Sequence, residues 1–133
     1  MARNAATVLA RASAAVVLST FLGLGCSNPV SPGVVVDELL IESVDVRVLE
    51  SSPPQAVAHV RGWLGDGCSE FHSLDQSRSG STITLTIRKQ RPRDAVCTAI
   101  AKLYEEDVRL QGQYPPGPYL LRVNGFEKPF TTE

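Results

Sequence analysis

The sequence predicts a small all-β sandwich of about seven antiparallel strands, and two observations carry that reading. Apolar and polar residues alternate in run after run, and turn-forming residues interrupt the runs about every 8 to 12 positions. No internal repeat or low-complexity segment competes with it. The chain has 133 residues, which is a single-domain length, so one modest core is expected.

Val44, Val46 and Val48 alternate with Asp45 and Arg47, burying the valines and wetting the charges, before Ser51, Ser52, Pro53 and Pro54 break the strand. Next, Ala56, Ala58, Val60, Gly62 and Leu64 alternate with Gln55, Val57, His59, Arg61 and Trp63, so one face is small and apolar and the other mixed. Gly65, Asp66 and Gly67 end that run as a turn. Phe71 to Gln76 is a weaker strand, followed by a polar loop from Ser77 to Gly80. The clearest half-buried strand sets Ile83, Leu85 and Ile87 against Thr82, Thr84 and Thr86.

In residues 92–106, Val96, Ile100, Leu103 and Tyr104 share a helical face behind Asp94, a cap-forming residue, but the stretch is short and set among strands. A loop with one short helical turn is expected there. Val108 and Leu110 mark another strand, and Tyr114 to Pro118 must turn. Tyr119, Leu121 and Val123 resume the alternation, with Arg122 and Asn124 expected outward. Asn124-Gly125 favours a two-residue hairpin turn that returns the chain as Phe126 to Thr131, with Pro129 suited to an edge. The expected core is therefore Val44, Val46, Val48, Val60, Leu64, Ile83, Leu85, Ile87, Val108, Leu110, Tyr119, Leu121 and Val123.

Residues Pro116 to Gly125 resemble the last two strands of immunoglobulin-like and fibronectin type III-like modules. The resemblance implies an immunoglobulin-like sandwich in which Tyr119 bonds back across a corner. Trp63 precedes both Cys68 and Cys97 instead of lying between them, so any bridge here differs from the inter-sheet bridge of true immunoglobulin domains.

Arg3 and Arg11 are the only charges before Cys26, and Ala14 to Leu24 is uncharged and mostly apolar. The order basic, apolar, small is that of a secretory signal peptide, and the apolar run is shorter than the ~20 residues a membrane span needs. Leu22-Gly23-Leu24-Gly25-Cys26 resembles the lipobox of bacterial lipoproteins, which implies cleavage before Cys26 and lipid attachment to it. The expected organisation is a signal peptide at 1–25, a lipidated N-terminus and flexible tether at 26–40, and the sandwich at 41–133. The expected location is the bacterial cell membrane, facing outside the cytoplasm. Ser27 carries no acidic retention signal, which leaves the outer membrane open as a destination where two membranes exist.

If lipid consumes Cys26, then Cys68 and Cys97, 29 residues apart, remain as a pair in an oxidising compartment, and a disulfide is expected. The competing metal site of Cys68, His72 and Cys97 lacks a fourth ligand. Net charge is −1 for the chain, and without Arg3 and Arg11 it is −3, so no nucleic-acid partner is expected. Arg88, Lys89, Arg91 and Arg93 read as a solvated loop, and Glu105, Glu106 and Asp107 as solvated charge at a strand entrance.

Neither His59 nor His72 stands in a motif with a nucleophile, and no phosphate loop or dinucleotide fingerprint appears. No catalytic residue, metal or cofactor is therefore expected. The candidate binding patch is His59, Arg61 and Trp63 on the outer face of one strand, because arginine and tryptophan are enriched at interface hot spots. Trp63 turning inward at a bulge, or lying under residues 92–106, is the structural alternative. The expected function is a lipid-anchored, non-catalytic interaction module of the cell envelope with an envelope protein as partner. The alternative is an inhibitor of a protease or a similar modulator of an enzyme.

Overall fold

Two strands carry the strongest inside–outside alternation, β3 (Gln55–Gly65) and β5 (Thr82–Pro92), and each lies inside a sheet. The structure is a computed structural model that describes residues 33–133. In the three-stranded sheet, β3 pairs antiparallel with β2 (Leu40–Leu49) on one side and β6 (Lys102–Arg109) on the other. In the five-stranded sheet, β4 (Glu70–Ser79) runs along one side of β5. The other side of β5 is shared: β1 (Val34–Glu38) pairs with Arg88 to Pro92, and β7 (Gly117–Val123) pairs with Thr82 to Leu85. The outermost strand, β8 (Phe126–Thr132), pairs with β7. The fold is thus a small β-sandwich, as the alternation predicts.

Between the sheets, Val60, Ile83, Leu85, Ile87, Leu121 and Val123 are fully buried. Val46, Val108 and Tyr119 pack against them only half-buried. Ala56 and Ala58 keep the inner face of β3 small, and Gly62 goes further: a Cβ there would meet the Leu40 carbonyl oxygen at 2.4 Å. At one end, buried Tyr114 packs edge-on to Tyr119, which stacks on Phe130, while the Arg78 guanidinium covers the Tyr114 ring at 4.8 Å. The Tyr119 hydroxyl donates to the Pro115 carbonyl at 2.8 Å, which is the backward bond expected of it.

Several expectations need correction. The ordered chain begins before Ile41, because Val34 to Glu38, expected within the tether, form β1, and Leu39 behind it is 2% exposed. Asp37 and Glu38 lie opposite Lys89 and Arg88, so opposite charges help hold that strand. For the same reason the basic cluster at Arg88, Lys89 and Arg91 is part of β5 and not a loop. Arg88 also pairs with Asp75, and Arg91 with Asp66 at 3.0 Å.

Among the described residues there are eight strands, and the pairing of β5 with β7 is parallel. A parallel pair needs a crossover, which the chain supplies by visiting the opposite sheet as β6 in between. Residues 92–106 contain no helix. A turn at Arg93 and Asp94 leads into irregular backbone, and β6 starts at Lys102. Cys97 is tied to Cys68, and Gly67 N–H bonds to the Thr98 carbonyl at 2.9 Å, so the segment is held against the turn that follows β3. Val48 is 38% exposed because it lies near the end of β2, lining a shallow surface groove with Pro54 and Thr131. Asn124 does not project outward; its amide is taken up by the backbone of β5 and of Leu39.

Candidate functional site

The outer face of the three-stranded sheet is built in rows across β2, β3 and β6, because residues paired in register point the same way. Trp63 lies between Leu40 and Leu103, Arg61 between Ser43 and Glu105, and His59 between Asp45 and Asp107. The three candidate patch residues therefore do share one face, and all are half-buried. Two of them are engaged within the molecule. His59 Nδ1 lies 2.8 Å from Asp107 Oδ1 and its Nε2 lies 3.2 Å from Glu105 Oε1, while Arg47 donates to Asp107 Oδ2 at 2.8 Å. Arg61 Nε approaches Glu105 at 3.8 Å and is a buried donor without a hydrogen bond.

Two of the three carboxylates read as solvated charge, Glu105 and Asp107, are thus the partners of the patch, and Glu106 is not. The hydrogen bond with His59, reinforced by Arg47, holds the Asp107 carboxyl below its usual range. Trp63 keeps an apolar neighbourhood on this surface, since Leu40 is 66% exposed and Leu103 43% exposed.

His72 sits on β4 in the other sheet, its Nδ1 2.8 Å from Gln90 Oε1, so the two histidines do not converge on one cleft. Cys68 and Cys97 are joined as a disulfide with Cα atoms 5.5 Å apart. The bond uses both sulfurs that the metal reading requires as thiolates. Beside it, Asp66 accepts from Ser69 Oγ at 2.8 Å and from Cys68 N–H at 3.2 Å, and with Arg91 these bonds lower its pKa. The lipid attachment expected at Cys26 and most of the expected tether fall outside the described residues.

A second feature escaped the sequence. The two sheets meet along one flank, where β2 approaches β8 and Lys128 pairs with Asp45 at 3.3 Å. On the opposite flank β4 and β6 are both sheet edges and leave a groove of about 620 Å³ between them. Its apolar lining comes from Leu64, Phe71, Leu74, Leu103, Tyr104 and Val108, and Glu105, Glu106 and Asp107 complete it. The rings of Phe71 and Tyr104 stack across it at 5.9 Å. Burial first, and then the charge of Glu106, raise the Tyr104 phenol pKa. The available signal was alternation in β6, which puts Glu106 on the core side between Tyr104 and Val108, but residues 92–106 did not read as a strand.

Two facing sheets with one closed and one open flank define the class, a β-sandwich domain. Residues 58–132 match the ORF11 beta-sandwich domain, and the chain belongs to that family. The match spans the disulfide, the outer-face patch and the groove. An uncharacterised 10.2 kDa protein of the HgiCIIM 5′ region of Herpetosiphon aurantiacus is 38% identical over 86 residues, covering 65% of this chain and 92% of that protein. Similar 10.2 kDa proteins of the HgiBIM and HgiEIM 5′ regions of the same organism are 36% identical over 74 residues, 56% of this chain and 90% of theirs. No solved structure matches.

Proposed function

We propose that the chain is a lipid-anchored, extracytoplasmic, non-catalytic interaction module of the bacterial cell envelope, held to the membrane through Cys26 and binding an envelope protein. The observation that carries this reading is the Cys68–Cys97 disulfide, which takes two of the three cysteines and leaves Cys26 over. Such bonds persist where thiols are not kept reduced, which favours a place outside the cytoplasm. The basic, apolar and small residues before Cys26 are what export requires. The separation of His59 and His72 onto different sheets supports a binding role over a catalytic one.

Expression in a bacterial host with radiolabelled palmitate tests the anchor. Label should enter the wild type and be absent from Cys26→Ala, which should stay uncleaved or soluble. An unlabelled wild type overturns the anchor.

The inhibitor reading has one observation of its own. Val96 and Ile100 are exposed, at 102% and 73%, on a segment tied down by the disulfide and by the Gly67 to Thr98 bond at 2.9 Å. A rigid loop that presents apolar side chains suits a protease cleft with shallow apolar pockets. Recovery of one stoichiometric protease from envelope extract, released by Val96→Asp, favours that reading. A non-enzymatic partner favours the module.

A further inference from the structure

The free side of β6 can be assigned atom by atom. Leu110 N–H donates to the Ala56 carbonyl at 2.9 Å, in register with the ladder between β3 and β6, so Ala56 and Leu110 form a hydrogen-bonded pair. Such pairs alternate along an antiparallel ladder. Tyr104, Glu106 and Val108 therefore turn their main-chain groups toward β3, while Leu103, Glu105, Asp107 and Arg109 turn theirs toward the open flank. Each of the latter offers one donor and one acceptor to an incoming strand.

The side chains along this edge carry a charge pattern. Glu105 is matched by His59 and Arg61, and Asp107 by Arg47 and His59. Glu106 has no ion-pair partner among the described residues. It stands opposite fully buried Val60 on the core-facing side of its strand, yet it is exposed because β4 does not close over it. An uncompensated carboxylate is thereby set in an apolar, aromatic-walled groove beside an unpaired strand edge.

We propose that the β6 edge is a strand-addition site for an extended basic segment of a partner protein. Alternate residues of an added strand face the groove. Those opposite Tyr104 and Val108 are apolar and enter its walls, and the one opposite Glu106 is lysine or arginine. The intervening residues face outward beside Glu105 and Asp107. The pattern recognised is apolar, any, lysine or arginine, any, apolar. A second copy of this chain fits poorly, because pairing β6 with β6 sets acidic residues against acidic residues.

The proposal rests on the binding-module reading but not on the lipid anchor. Its test is calorimetric titration of the detergent-purified full chain with acetyl-Thr-Val-Thr-Lys-Thr-Val-Thr-amide and with the same peptide carrying Glu for Lys. The Lys peptide should bind about tenfold more tightly, the difference a charge-assisted contact supplies. Glu106→Gln should remove most of that preference and Glu106→Lys should invert it. In the complex, the amides of Leu103, Glu105 and Asp107 should become protected from hydrogen exchange.

Equal affinity for the two peptides, or no binding to either, overturns the site. So does a homodimer abolished by Glu106→Lys, which assigns the edge to a second copy. An envelope partner captured equally by the wild type and by Glu106→Lys overturns the β6 site and leaves the module reading standing.

Discussion

At Asn124 one side-chain amide meets three main-chain groups. Its Oδ1 accepts from Ile87 N–H at 2.8 Å, and its Nδ2 donates to the carbonyls of Ile87 at 2.7 Å and Leu39 at 2.8 Å. These bonds fill the point on the flank of β5 where β7 ends and β1 begins, where ladder bonds would otherwise be missing. The residue also turns the hairpin, with φ of 47° followed by 86° at Gly125. Asn124→Gly keeps the turn and loses the amide, so it should cost about 2–4 kcal/mol in urea denaturation. A Gly variant as stable as the wild type would show that only the turn matters.

Acid sensitivity has the same local origin. Asp66 and Asp107 have folded pKa values below the ordinary range, so both stabilise the fold above ~4 and lose that contribution as pH falls through their lowered values. The melting temperature should therefore drop on acidification below about pH 4. The drop should be smaller in Asp66→Asn and Asp107→Asn, and identical pH profiles would contradict this origin.

Among the elements, β1 shows how little local signal a real strand can carry. Its five residues are mostly exposed, and only the following residue, Leu39, enters the core. A chain beginning at Ile41 loses that side chain and the ladder to β5, whereas one beginning at Gly33 keeps both. The shorter form should be less stable by at least the ~2–5 kcal/mol of a buried leucine, and Leu39→Ala in the full chain should reproduce the side-chain share. Thermal melts that place the two truncations together would return β1 to the tether. The strand β6 was obscured for a different reason. Its register sets Tyr104 beside Gly62, Glu106 beside Val60 and Val108 beside Ala58, so a charged residue interrupts the apolar alternation on its core side.

For the molecule as a whole, the disulfide closes a 29-residue separation, which stabilises by roughly 3.5 kcal/mol on the chain-entropy account. That is a large share of a small domain's stability, so reduction should lower the urea midpoint strongly and Cys68→Ala with Cys97→Ala should match it. An unchanged midpoint would mean that strand pairing alone carries the fold. The sandwich itself was legible in the sequence, as were most of its core positions and the Asn124-Gly125 turn. Alternation between neighbours i and i+2, together with turn chemistry, is written in residues a few places apart. The parallel join of β5 to β7, the use of Asn124 as a staple, the matching of His59 to Glu105 and Asp107, and the open flank at Glu106 were not legible. Each depends on which distant strands come to lie side by side. That choice follows from packing two sheets against one another and has no local sequence period to announce it.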